Sequence, residues 1–155
     1  MNWAHLHLLV NHVPVIGTVI AVLLLALAVL GRSSELTRVS FGMLVVLALT
    51  AGAVYLTGEP AEEVVEDLPG VSEAVIEPHE EAAMVASLLL GAVGAIALGG
   101  LILARRGREL PARFAHVVLA LAVLAAAAMG RTAFLGGHIR HTEIRAGAPV
   151  VDEGP

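Results

Sequence analysis

The sequence predicts an all-α integral membrane protein: a four-helix bundle of up-down topology with a short helical lid outside the membrane between its second and third spans. Three observations lead there. The 155 residues are 57% hydrophobic and only 15% charged, with a mean hydropathy of +0.85, too apolar for an ordinary soluble domain. Uncharged runs at 13–31, 39–58, 82–104 and 114–130 each supply the roughly 20 residues a helix needs to cross ~30 Å of hydrocarbon. The charges are also sorted: residues 32–38 and 105–113 carry six Arg against Glu35 and Glu109, whereas 59–81 carries nine acidic residues and no Arg.

With their ends included, the spans are expected at about 12–31, 39–58, 80–104 and 113–137, in a single domain of residues 1–145. Residues ahead of the first span, with Trp3 suited to the headgroup level, are assigned to the outer interface. Pro14 lacks an N–H and crowds the carbonyl four residues back, so the first helix must start near Asn11 or kink there. A cleavable signal peptide puts positive charge before its apolar core; here the first Arg follows it, and the run is expected to be retained. The lid, 59–79, reads as two helical pieces: Pro60 leads 61–68, Pro69-Gly70 breaks the chain, and Ser72 caps 73–76. Val64, Val65, Leu68, Val75 and Ile76 are its expected buried side. Pro78 sets the start of the third span, and 146–155 is a Gly- and Pro-rich flexible tail. Small residues such as Gly42, Gly52, Gly91 and Gly94 suit close helix packing, within the bundle or in a homo-oligomer.

Composition excludes several functions. There is no Cys, which removes disulfides, thiolate metal sites and thiol catalysis together. The net charge of -5 offers no footprint for nucleic acid. No Ser-His-Asp set, phosphate-binding Gly loop or His-Glu-x-x-His motif is present, so an enzyme acting by itself is not expected. By the positive-inside rule the two Arg-rich connections lie in the cytoplasm and both termini outside, which fits the bacterial cytoplasmic membrane.

That orientation sorts the polar residues by depth. Of seven His, only His116 falls on the cytoplasmic side; His5, His7, His12, His79, His138 and His141 gather at the outer end with Glu59, Glu80, Glu81 and Arg131. Imidazoles from facing helices serve as haem b axial ligands, and imidazoles with carboxylates bind transition metals without thiolates. Short connections make successive helices antiparallel neighbours, so these ends are expected to meet. His12, His79 and His138 are the expected cofactor ligands, with Arg131 offsetting cofactor charge or snorkelling to headgroups; His7, His12, Glu59, His79, His138 and His141 form the metal-ligand set.

The stretch His7-Leu-Leu-Val-Asn-His12-Val-Pro14 resembles the opening of a family of small four-span bacterial membrane proteins of unknown function, whose first helix carries a His-x4-His-Phe-Pro motif. His7, His12 and Pro14 stand on the motif, with Val13 in place of Phe; Gly136-Gly137 followed by His141 is similar to that family's last helix. The likeness spans roughly residues 5–142, and the acidic lid departs from it. It implies a four-helix bundle with outward-facing histidines, similar in plan to small membrane cytochromes b, and no established reaction.

Three functions follow as expectations. The first is a redox component near the outer face, holding haem b or a His/Glu-bound transition metal and exchanging electrons with a quinone or a respiratory complex. The second is a cofactor-free accessory subunit whose polar residues pin the lid. The third is a small transporter or metal-delivery protein, disfavoured because no span carries an ionisable group near the bilayer middle. The orientation has a direct test: a reporter active only in the cytoplasm, fused after Pro155, is expected to stay silent, and its activity would reverse the assignment of the ends.

Overall fold

The structure, a computed structural model, describes residues 2–108 and 110–145. It is built of helices α1 (Trp3–Val10), α2 (His12–Leu30), α3 (Ser34–Leu56), α4 (Gly58–Val65), α5 (Glu73–Arg105) and α6 (Ala112–Arg140), followed by a 3₁₀ turn at Thr142–Ile144. Among these, the stretches Trp3–Leu30, Ser34–Val65, Glu73–Arg105 and Ala112–Arg140 are long and apolar enough to cross a membrane. The tail expected at 146–155 lies outside the described residues.

Local chemistry sets the boundaries. The Asn2 side chain accepts the His5 amide at 2.9 Å and caps α1. The chain turns at Asn11, and Pro14 becomes the third residue of α2, where the missing N–H is among those a helix start leaves unpaired anyway. The α2–α3 hairpin places Arg32 at φ +51°, a left-handed conformation a non-glycine residue adopts at a cost of about 1 kcal/mol. Around it the Ser33 amide donates to the Ala28 carbonyl and the Ser33 hydroxyl accepts the Leu36 amide, which closes α2 and opens α3 together. At the end of α5, Gly107 takes φ +73°. Its amide reaches the Ala104 carbonyl and the Arg108 amide the Leu103 carbonyl, a Schellman motif.

The lid differs from the expectation. Its first piece is α4, shifted to Gly58–Val65, and its second is not separate: α5 runs from Glu73 straight through Pro78. A proline in the second turn removes a single ladder bond, too little to stop a helix 33 residues long. Ser72 is the N-cap by backbone conformation, but its side chain makes no cap bond. Of the five residues expected to be buried, only Ile76 is; Val65 and Val75 are half-buried, while Val64 and Leu68 are each 38% exposed. The reason is that α4 docks on α1 rather than lying flat on the bundle.

The four long helices form a ring in which α2 touches α3, α3 touches α5, α5 touches α6, and α6 returns to α2. Contacts fix their antiparallel directions: Gly17 faces Leu47, Gly94 faces Ala48, Gly100 faces Phe41 and Phe114, and Gly136 faces His79. The core runs through Leu25, Phe41, Leu44, Leu90, Val118, Ala122, Ala125 and Met129, with Phe41 and Phe114 edge-on at 5.9 Å. The buried polar side chains among the described residues, Thr18 and Ser40, donate to the Pro14 and Leu36 carbonyls of their own helices. Around this core the outside is also apolar, with Leu49 72% and Leu88 68% exposed.

Close approach of α3 and α5 depends on Gly94, where a Cβ would collide with the Ala48 methyl and stand 3.2 Å from the Leu44 carbonyl oxygen. A Cβ at Gly91 meets nothing within 4 Å. Gly94→Ala is therefore expected to destabilise the bundle by about 1–3 kcal/mol, whereas Gly91→Ala leaves the melting temperature in detergent unchanged or slightly raised. Equal melting of the two variants would contradict this packing.

Candidate functional site

At the end of the bundle that holds the starts of α2 and α5 and the ends of α3 and α6, the helices diverge around a cavity of about 1230 Å³. Its walls are largely apolar, including Leu8, Leu9, Val15, Val54, Tyr55, Ala83, Met129 and Ile139. Helices α1 and α4, packed on each other, cover it. Polar groups reach it from four places: His5, His7, Asn11 and His12 from the first segment; Glu59 and Glu62 from α4; His79 and Glu80 from α5; Arg140 and His141 from the end of α6.

Among the residues expected to form the site, His7, His12, Glu59, His79 and His141 line this cavity, and His138 and Arg131 do not. Helix α6 turns one face to the cavity, carrying Thr132, Ala133, Gly136, Gly137 and Arg140. Arg131 and His138, seven residues apart, fall together off that face. Arg131 is exposed, and His138 packs edge-on against Phe134 with ring centroids 4.5 Å apart. Of the expected trio His12, His79 and His138, the first two line the same cavity and the third does not. Among the described residues no three His, Asp or Glu side chains are gathered to hold a metal ion, so the expected six-residue metal set is not assembled.

Hydrogen bonds fix the tautomers of the cavity histidines. His79 Nδ1 lies 3.0 Å from the Thr132 carbonyl oxygen and His12 Nδ1 lies 2.9 Å from that of Leu8. A carbonyl has no proton to give, so each Nδ1 donates and each Nε2 of the neutral ring keeps its lone pair. His7 Nδ1 lies 2.9 Å from the Thr57 hydroxyl, whose own proton goes to the Val54 carbonyl at 2.7 Å. The hydroxyl therefore accepts, and His7 Nε2 is also left free. His7 and His79 stand near enough for their charges to interact.

The remaining polar groups are mostly acceptors as well. Asn11 Oδ1 is buried without a hydrogen-bond partner, and the Glu62 carboxyl on α4 has the like charge of Glu80 on α5 for a neighbour. Among the described residues, Arg140 brings a guanidinium to the lining. Beyond α6, His141 and Glu143 pair at 2.7 Å on the surface. There the Glu143 backbone amide and the His141 ring hold the Glu143 carboxyl below the ordinary carboxylate range. An apolar chamber with lone pairs on its walls suits an apolar ligand that brings hydrogen-bond donors or a Lewis-acidic centre.

Several contributors were not singled out from sequence: Asn11, Thr57, Glu62 and Thr132. For the Gly136-Gly137 pair of the sequence motif, the structure gives Gly136 a physical reason. A Cβ on Gly136 would stand 3.0 Å from His79 Cε1 and 3.1 Å from Nδ1, whereas one on Gly137 would make an ordinary 3.6 Å contact with Ile144.

Gly136→Ala is therefore expected to push the His79 ring off the Thr132 carbonyl, costing about 0.5–1.5 kcal/mol and shifting the His79 ring ¹⁵N resonances. Gly137→Ala should leave those resonances in place. Comparison with known protein families, characterised proteins and solved structures finds no match, so the reading of this site rests on its own geometry.

Proposed function

We propose that the chain is a multi-pass protein of the bacterial cytoplasmic membrane, with both termini outside, whose outer cavity holds haem b as part of an electron-transfer component. The observation that carries this reading is the pair of imidazoles His7 and His79. They come from separate helices, line one apolar chamber and have Nδ1 tied to protein, which leaves Nε2 available. A hydrogen bond from the far ring nitrogen orients an axial histidine and strengthens it as a ligand. A bare metal ion held by three or more side chains does not fit the described residues, but haem supplies four ligands of its own and asks the protein for one or two.

Haem, when bound, supplies one-electron chemistry. In this reading His7 and His79 would hold the haem, the Leu8, Val54 and Met129 wall would exclude water, and Arg140 would offset propionate charge. The membrane assignment is supported by the four long apolar stretches and the lipid-compatible exterior, and the orientation by the Arg-rich connections. A quinone or a larger respiratory complex is the fitting exchange partner for a site at that depth.

The second reading is a cofactor-free accessory subunit. It is favoured by the fact that the same bonds act as staples, His7 joining α1 to the end of α3 and His79 joining α5 to α6. The visible spectrum separates the two. Detergent-purified protein should show a Soret band that His7→Ala and His79→Ala each abolish while the protein still inserts, and His138→Ala should leave the band intact. Absence of a Soret band from wild-type protein expressed with ample haem would sink the redox reading and leave the accessory one.

A further inference from the structure

We propose that the cleft between the start of α3 and the end of α5 binds one anionic phospholipid, with its phosphate held by Arg38 and Arg105 and an acyl chain laid on the apolar floor between them. The inference rests on the reading that the bundle spans a membrane with this end in the cytoplasm.

The cleft, about 390 Å³, is lined by Arg38, Val39 and Gly42 on one turn of α3 and by Leu101, Ala104 and Arg105 on one turn of α5. Because α3 and α5 run antiparallel, the two Arg stand at the same level, where both apolar runs end. The floor is open because Gly42 has no side chain, and a Cβ there would meet nothing within 4 Å. At about 30 Å³ per water-sized group, the cleft holds roughly a dozen such groups, a good part of an acyl chain.

Charge decides the occupant. Both guanidinium groups are exposed, and among the described residues neither is in a salt bridge with a carboxylate. Two guanidinium forks lining one apolar groove match a phosphate oxygen set on one side and hydrocarbon on the other. Basic pockets between membrane helices on the cytoplasmic side take anionic headgroups in this way. A zwitterionic lipid would bring its own cation beside the two guanidinium groups and gain less.

The test uses the full chain in detergent micelles, with retained lipid read by native mass spectrometry. Dioleoylphosphatidylglycerol is expected to be retained as a single bound copy about tenfold more than dioleoylphosphatidylcholine. R38Q/R105Q should lose that preference, and R32Q/R108Q, the same charge change elsewhere on this end, should keep it; helicity and melting of both variants establish that they fold. Equal retention of the two lipids, equal loss in both double variants, or displacement of the lipid by millimolar inorganic phosphate would each overturn the site. Alkaline carbonate treatment of membranes reads insertion separately. Resistance to extraction without phosphatidylglycerol preference removes the lipid site alone, and full extraction removes both the site and the membrane reading beneath it.

Discussion

Among the described residues the buried polar side chains, Thr18 and Ser40, are answered within their own helices, and much of the architecture follows from that constraint. Thr18 and Ser40 are buried, and each hydroxyl donates to the carbonyl four residues back, as do Thr37, Thr50 and Thr132 on less buried faces. With these hydroxyls turned back onto their own backbones, the helices meet largely through shape. Small residues let backbones approach: Gly17 accepts Leu47, Gly94 accepts Ala48, and Gly100 accepts the edges of Phe41 and Phe114. A bundle held by shape is tolerant of lipid on its outside, because the same Leu, Val and Ile that would be a liability in water are at home in hydrocarbon. It also forces chemistry to the ends, where water or a cavity is available.

The two ends have solved different problems. At the Arg-rich end the connections are short and capped by local geometry, with Arg32 in a left-handed turn and Gly107 in a Schellman close. The opposite end carries two extra helices, α1 and α4, and a loop to α5, which hold the helix mouths apart and leave the chamber between them. The staples that define this chamber run between segments: His7 to Thr57 and His79 to Thr132. One set of side chains therefore both shapes the space and presents lone pairs to it.

The four long helices were legible because a run of 17 or more uncharged residues has few uses other than a long apolar helix. Gathering of polar residues at one end was legible for the same reason. Rotation about each helix axis was not. Whether Arg131 and His138 or Thr132 and Gly136 face the chamber depends on how α6 settles against α5, and a run of Leu and Ala reads alike at every angle. Pro78 misled because its position within a helix matters more than its presence. Thr57 and Thr132 were passed over because neither is charged, yet a hydroxyl and a carbonyl decide which nitrogen of His7 and His79 is free. The docking of α4 on α1 has almost no sequence signature, since two eight-residue helices are too short for periodicity to speak.

The cover has no core of its own. Helix α1 contains no buried residue and α4 only Ala61, whereas each long helix buries a continuous stripe. Opening free energy falls where buried apolar contacts are few, so this pair can swing or fray while the four long helices stay closed. Opening of the cover is thereby uncoupled from the stability of the four-helix core. A substitution in α1 or α4 can alter how often the cover opens without registering in a melting curve, and one deep in the bundle can do the reverse.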